Sequence, residues 1–168
     1  MKIERRNFLI FGSLFGFSTY VNAREISAFE SEFKKVKLTI AAVQEHMFPQ
    51  MNKLPSAKEM NTIQFLFETV EHKSFDKDIR AFVIEGAKEL MAREKESFIF
   101  MSNREKEKAL RAYEETNYGS SWLSRIMTLT MEGIFCDPIY GSNVKEVGWK
   151  ALGAYGRQPR PNSRYIDV

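Results

Sequence analysis

Few side chains in this sequence could do chemistry, and their spacing limits what they can do. His46 and His72 are the only imidazoles. They fall on different predicted helices with no second histidine at ligand spacing, so a zinc site would have to be completed by carboxylates. Each sits in the last turn of its helix, where an imidazolium suits the negative end of the dipole, and a structural role fits both. Glu114-Glu115 and the pair Glu94 and Glu96 fall on polar helix faces. That is solvated surface rather than the cleft general acid–base catalysis needs. Cys136 is the single cysteine. Alone it makes no intramolecular disulfide, CxxC redox pair, cysteine-ligated iron–sulfur cluster or CxxCH haem attachment, and beside an apolar helix end it reads as a small buried hydrophobe. A hydrolase built on Asp137 or Glu132 would lack both a nucleophile and an activating base. Nucleophile elbow, phosphate loop and dinucleotide fingerprint are missing; Gly148-Trp149-Lys150-Ala151-Leu152-Gly153 has neither the spacing nor a preceding strand. The expectation is a chain with no catalytic, cofactor-binding or metal-binding set of its own.

What stands out instead is the stretch Leu123–Gly156 with the flanking Trp122. It gathers Trp149, Tyr140, Tyr155, several glycines and an Asp-Pro into a short, turn-rich segment. Two readings fit it equally. The segment is a flap whose aromatics close a helical bundle, or it is a rigid aromatic surface that docks a partner, since Tyr and Trp are favoured interface anchors.

The elements that must position these residues are helices. With 168 residues the chain fits one domain and can enclose a real core. A formal charge of +3 is a slight surplus rather than the basic stripe of a nucleic-acid binder. Ile26, Phe29, Phe33, Val36, Ile40, Val43 and Met47 recur at intervals of three and four, one helix face that Pro49 ends. Within it Lys34-Lys35-Val36-Lys37-Leu38 could also be extended. Ser56-Ala57-Lys58-Glu59 reads as a capping box opening a helix from about Ala57 to His72. Ser74 or Asp76 caps a third helix running to about Glu96, and Phe98-Ile99-Phe100-Met101 reads as a plug over the core. Ser102-Asn103-Arg104-Glu105 is a second capping box, opening a helix through about Thr116. Asn117-Tyr118-Gly119 reads as a turn. Trp122, Ile126, Leu129 and Gly133 mark a fifth helix, about Ser121 to Phe135, apolar nearly all round and so expected at the centre. Val144–Lys150 fits one short helix. The predicted fold is all-α: a single compact bundle of about five helices with an irregular C-terminal Asp-Pro/Gly/Trp flap.

Residues 1–23 read as a leader. Lys2, Arg5 and Arg6 precede an uncharged stretch, Phe8–Val21, that is shorter than the ~20 residues a spanning helix needs. Val21-Asn22-Ala23 suits a signal peptidase, which places cleavage after Ala23 and the folded domain at residues 24–168. Arg5-Arg6-Asn7-Phe8-Leu9 resembles the twin-arginine export motif, with departures at Glu4 and Ile10. An ordinary secretory leader carrying two arginines is the alternative. The twin-arginine route carries folded proteins, so it predicts a periplasmic protein. Cleavage removes three of the 25 basic and one of the 22 acidic side chains, leaving a net charge of +1.

Glu132-Gly133-Ile134-Phe135-Cys136-Asp137-Pro138-Ile139-Tyr140-Gly141-Ser142-Asn143, followed by Gly148-Trp149-Lys150 and Gly156, resembles the Asp-Pro-x-Tyr-Gly-Gly-Asn…Gly-Trp-Lys block of the gluconate 2-dehydrogenase subunit 3 family. Ala41–Pro49 is similar to that family's first helix. Ser142 replaces the block's second glycine, so this position is expected not to need a positive φ. The resemblance implies a non-catalytic small subunit that escorts a large FAD-containing dehydrogenase out of the cytoplasm. It also implies a c-type cytochrome that can join the complex, and contact with the membrane only through that complex. Within the block, Asp137, Pro138, Tyr140, Gly141, Asn143, Gly148, Trp149 and Lys150 are the candidate partner contacts, and Arg5, Arg6, Phe8 and Leu9 the export signal. The alternative from another class is a stand-alone periplasmic helical protein that binds a small ligand in a groove lined by Trp122, Tyr140 and Trp149.

Overall fold

A computed structural model describes residues 28–167. The expected leader, its cleavage point after Ala23, and Ile26 lie outside the described residues. Among the described residues the secondary structure is helical, and an isolated bridge between Met51 and Leu54 is the only extended pairing. Helix α1 covers residues 28–47. Phe29, Phe33, Val36, Ile40 and Val43 form its buried stripe. The stretch that could have been extended is therefore helical, because Val36 turns inward while Lys34, Lys35 and Leu38 face solvent. Helices α2 (Thr62–Glu71), α3 (Lys77–Arg93), α4 (Asn103–Glu114) and α5 (Asn117–Phe135) follow, with the short α6 (Val147–Ala151) after a loop. α5 packs against α2, α3 and α4, which makes it the central element the sequence predicted. Leu66, Val83, Leu90, Leu110, Ile126 and Leu129 meet the α1 stripe in one core.

Local chemistry fixes most of the helix ends. Asp76 caps α3, its carboxylate accepting from the Asp78 and Ile79 N–H groups at 2.7 and 3.3 Å. The Ser102/Glu105 box opens α4 with both reciprocal bonds made. Arg80 on α3 donates to the carbonyls of Val70, Glu71 and His72 at 3.0, 3.3 and 3.0 Å, satisfying groups the end of α2 would leave unpaired.

Several boundaries differ from expectation. The Ser56/Glu59 box forms, with Ser56 N–H donating to Glu59 at 2.9 Å and Glu59 N–H to Ser56 Oγ at 3.3 Å. It closes a turn rather than a helix. Asn61 is left-handed (φ 56°), and α2 starts only at Thr62. α3 stops at Arg93 because Lys95 and Glu96 are also left-handed, with φ of 50° and 62°. α4 stops at Glu114. Asn117-Tyr118-Gly119 is not a separate turn but the first turn of α5, with Thr116 Oγ1 accepting from Gly119 N–H at 2.9 Å. The plug is Phe98, 1% exposed, with the half-buried Met101 packed against the same core, while Phe100 is 83% exposed. α5 is not apolar all round. Ser124, Thr128 and Glu132 face solvent with Met127 and Met131.

α3 and α5 approach closely at Gly86. A Cβ there would lie 2.0 Å from Trp122 Cδ1. The Trp122 indole donates to the Val83 carbonyl at 3.1 Å, and the Tyr113 hydroxyl donates to the Gly86 carbonyl at 3.0 Å. Across the α1–α5 contact, Gln44 Nε2 donates to Thr130 Oγ1 at 3.0 Å while Gln44 Oε1 is buried without a partner. Thr130 keeps its own bond to the Ile126 carbonyl at 2.7 Å. Gln44→Leu therefore removes an unsatisfied acceptor and orphans no donor. It is expected to leave stability unchanged or raise it by about 1 kcal/mol, a midpoint shift readable in urea denaturation. A loss beyond about 1 kcal/mol would show that the amide is satisfied in solution.

Candidate functional site

The block from Asp137 to Lys150 forms a cap across the C-terminal end of α5, and its geometry is set by polar groups aimed inward. α5 ends at Phe135, the chain turns extended at Cys136, and Asp137 Oδ1 then accepts from Ile139 N–H at 3.0 Å to open a 3-10 turn at Pro138. Proline suits this first position because the turn asks no hydrogen bond of its nitrogen. Gly141 closes the turn with φ 79°, a left-handed conformation costly for residues with a Cβ. Ser142 is not left-handed, as its replacement of a glycine predicted. It is fully buried, and its hydroxyl donates to the Met60 carbonyl ahead of α2.

Asn143 holds the cap together. It is fully buried and left-handed, with φ 48°. Its Nδ2 donates to the Cys136 carbonyl at 2.8 Å, and its Oδ1 accepts from Gly148 N–H at 2.8 Å. One amide thus ties the end of α5 to the start of α6. Gly148 is buried against α5 so closely that a Cβ would stand 2.3 Å from the Ile134 carbonyl oxygen. Lys145 and Glu146 between them are also left-handed without being glycine, a strain that persists only where surroundings hold it. Lys150 Nζ holds the Lys145 carbonyl at 2.8 Å. Asn143→Ala would leave the Cys136 carbonyl and the Gly148 N–H without their partner. About 2–4 kcal/mol of destabilisation is expected, seen as a lower urea midpoint and faster amide exchange at Gly148. Unchanged exchange there would refute this bridging role.

The aromatic candidates are half-buried. Trp149 donates its indole N–H to the Phe135 carbonyl at 2.7 Å, and the Arg160 guanidinium lies over its ring at 4.6 Å. Arg160 also pairs with Asp137 at 2.8 Å and Glu146 at 3.3 Å. Tyr140 meets Phe65 of α2 edge-on, and its hydroxyl accepts from Tyr165 N–H at 3.4 Å. Trp122 is elsewhere, fully buried between α3 and α5. Trp122, Tyr140 and Trp149 therefore do not converge, and the ligand groove expected from those three rings is not formed. Of the eight candidate contacts, Asn143 and Gly148 are internal. Asp137 and Trp149 point their polar atoms inward, Pro138 and Tyr140 are half-buried, and Gly141 and Lys150 are exposed.

The groups considered for chemistry have structural partners. His46 Nε2 lies 2.8 Å from Glu107 and joins α1 to α4. His46, and then Arg111, hold the Glu107 carboxyl below its ordinary range. His72 is the C-cap of α2, with Nδ1 2.6 Å from Ser74 Oγ. Burial, reinforced by the nearby Asp137, pushes the Cys136 thiol up to about 11. Since only the thiolate attacks, each unit of elevation lowers reactivity at neutral pH about tenfold. Cys136 in the native protein is expected to react with a disulfide reagent at least ~100-fold more slowly than in denaturant. Comparable rates would show an activated thiol. Among the described residues no group of three or more His, Cys, Asp or Glu could hold a metal ion, and no helix is long and apolar enough to cross a membrane.

Sequence reading missed the C-terminal tail. Arg160, Arg164 and Tyr165 bind back onto the cap and α2, with Arg164 pairing with Glu68 at 2.7 Å. Only Gly156 hinted at it, where a Cβ would meet Arg160 at 2.2 Å and the Trp149 ring at 2.5 Å. No curated protein and no solved structure matches the chain. The helices that build the core and the cap laid across α5 fall almost wholly inside residues 34–156, the span matched by the family model described as gluconate 2-dehydrogenase subunit 3, and the chain belongs to that family.

Proposed function

We propose that this protein is the non-catalytic small subunit of a flavin-dependent dehydrogenase complex of the gluconate 2-dehydrogenase type. In this reading it is the export escort of the large FAD-containing subunit and the factor that assembles and stabilises it. Family membership supports a subunit rather than an enzyme complete in itself. The observation that carries the docking role is the build of the cap. Its inner side is bonded to α5 through Asn143, Gly148 and Trp149, while Val144 stands exposed on it and Leu152 and Tyr155 stand exposed on the chain that follows. Exposed apolar side chains on a loop already fixed in shape suit protein contact, because little conformational freedom is lost on binding. FAD and the oxidation belong to the partner, and a c-type cytochrome is the expected electron acceptor within the complex. The complex works at the periplasmic face of the inner membrane after export by the twin-arginine route. The test is purification of the tagged chain from the periplasm. A stoichiometric flavoprotein should accompany it, and the isolated chain should show neither flavin nor haem absorbance and no dehydrogenase activity with artificial acceptors. FAD bound stoichiometrically to the isolated chain would overturn the reading, as would purification without a flavoprotein.

A further inference from the structure

A groove of about 500 Å³ opens beside the cap, between α2, the last turns of α5 and the C-terminal tail. Four aromatic rings, Phe65, Phe135, Tyr140 and Tyr165, and two carboxylates, Glu132 and Asp137, supply most of its lining. The rings brace one another. Tyr140 stands edge-on to Phe65 at 6.4 Å between centroids and lies 5.6 Å from Tyr165. The tail that brings Tyr165 here is clamped to α2 by Arg164 and Glu68 at 2.7 Å. Tyr165 and Arg164 both lie beyond the segment the family model matches.

The two carboxylates are not equivalent. Asp137 is occupied by Arg160 at 2.8 Å and by the Ile139 N–H. Glu132 is exposed at the groove, and among the described residues no ion pair or hydrogen bond engages it. Its charge reaches the groove, since burial and then the fields of Tyr140 and Glu132 raise the Tyr165 phenol above its ordinary range. Aromatic faces carry negative quadrupole potential and attract organic cations, Arg and Lys side chains above all. A free carboxylate beside them adds charge of the same sign, and among the described residues no basic side chain lines the groove. A single free carboxylate is too few for a metal ion. The Asp137 carboxylate and the Cys136 thiol are already bonded and so are not free to hold a sugar ring.

We infer that this aromatic and carboxylate groove receives an arginine or lysine side chain presented by the docked flavoprotein. The inference rests on the proposed function: Tyr140 and Asp137 belong both to the cap and to the groove, so the groove adjoins the surface proposed to dock the flavoprotein. Glu132 sets the charge of the site, and the four rings hold the stem and head group of the incoming residue.

Two measurements on the full chain test this. In the first, ethylguanidinium is titrated against the protein while tyrosine ring resonances are followed. Saturable shifts at Tyr140 and Tyr165 are expected, weakened about 10-fold by Glu132→Gln and absent with neutral ethylurea or glucose. Glu132 makes no hydrogen bond or ion pair among the described residues, so this variant should melt as the parent does. Equal binding by the variant, or by ethylurea, would overturn the proposal. Tighter ethylguanidinium binding after removal of residues 1–23 would assign the groove to the chain's own basic leader and also overturn it. In the second measurement, the copurified flavoprotein complex is dissociated in rising salt. Glu132→Gln should weaken it about 10-fold and flatten the salt dependence. A complex indifferent to the variant would overturn the inference while leaving the function intact. A chain that forms no flavoprotein complex would overturn the function and, with it, the source of the side chain.

Discussion

Gly86→Ala is expected to abolish the stable fold. The added methyl would sit 2.0 Å from Trp122 Cδ1 and 2.4 Å from Cγ, within the body of a fully buried indole that has no room to retreat. Overpacking of a tight core costs about 1–3 kcal/mol and more where backbone must move. Here the movement also pulls apart two buried hydrogen bonds, Trp122 to the Val83 carbonyl and Tyr113 to the Gly86 carbonyl. Each bond broken in the interior adds about 1–3 kcal/mol. The total approaches the whole stability of a typical domain, about 5–15 kcal/mol. Circular dichroism should show either an unfolded chain or a melting temperature lowered by about 10 °C or more. The double variant Gly86→Ala with Trp122→Leu tests the cause. Removing the indole makes room for the methyl, so the pair should lose much less than the two single losses added together. A single variant that melts like the parent would refute the close approach of α3 and α5.

On the proposed escort role, replacing Arg5 and Arg6 by lysine is expected to leave both this protein and the proposed flavoprotein partner in the cytoplasm. The change keeps charge and removes the planar fork with which guanidinium groups are recognised, so a loss of export would report the arginine pair as an address rather than as basic charge. The partner should be stranded in the same cells, because an escorted protein crosses only while bound to the chain that carries the signal. Fractionation followed by assay of dehydrogenase activity reads both proteins at once. Normal periplasmic activity in the variant would end the escort role and leave family membership untouched. Export of this chain by the general secretory route would do the same to the twin-arginine assignment.

The helices were legible because their cause is local. The stripe Phe29, Phe33, Val36, Ile40 and Val43 needs only the 3.6-residue period to mark a buried face, and all five are buried. Asp76 and the Ser102/Glu105 box cap as read because a cap reaches only two or three residues along its own chain. Even so, the same logic placed the start of α2 too early, since the Ser56/Glu59 box closes equally well on a turn that Asn61 then breaks. The family block was legible as a pattern of residue types, and the matched span agrees with it.

The sequence by itself thus determined the helical class, the number of long helices, the central place of α5 and the family. The fate of individual polar and aromatic groups was left to tertiary structure. Sequence shows Tyr140, Trp149 and Trp122 as three aromatics of one region, whereas in the fold they face three different neighbours: Phe65, Phe135 and Val83. Ser142 reaches the Met60 carbonyl and Arg164 reaches Glu68, contacts whose partners lie 82 and 96 residues away. The groove at Glu132 exists because the tail returns to α2, bringing Tyr165 beside Tyr140. Periodicity and capping act over a few residues and leave a mark in any short window. A side chain that bonds across the fold takes its role from whatever the packed helices bring within 3 Å of it, and no short window of sequence contains that information.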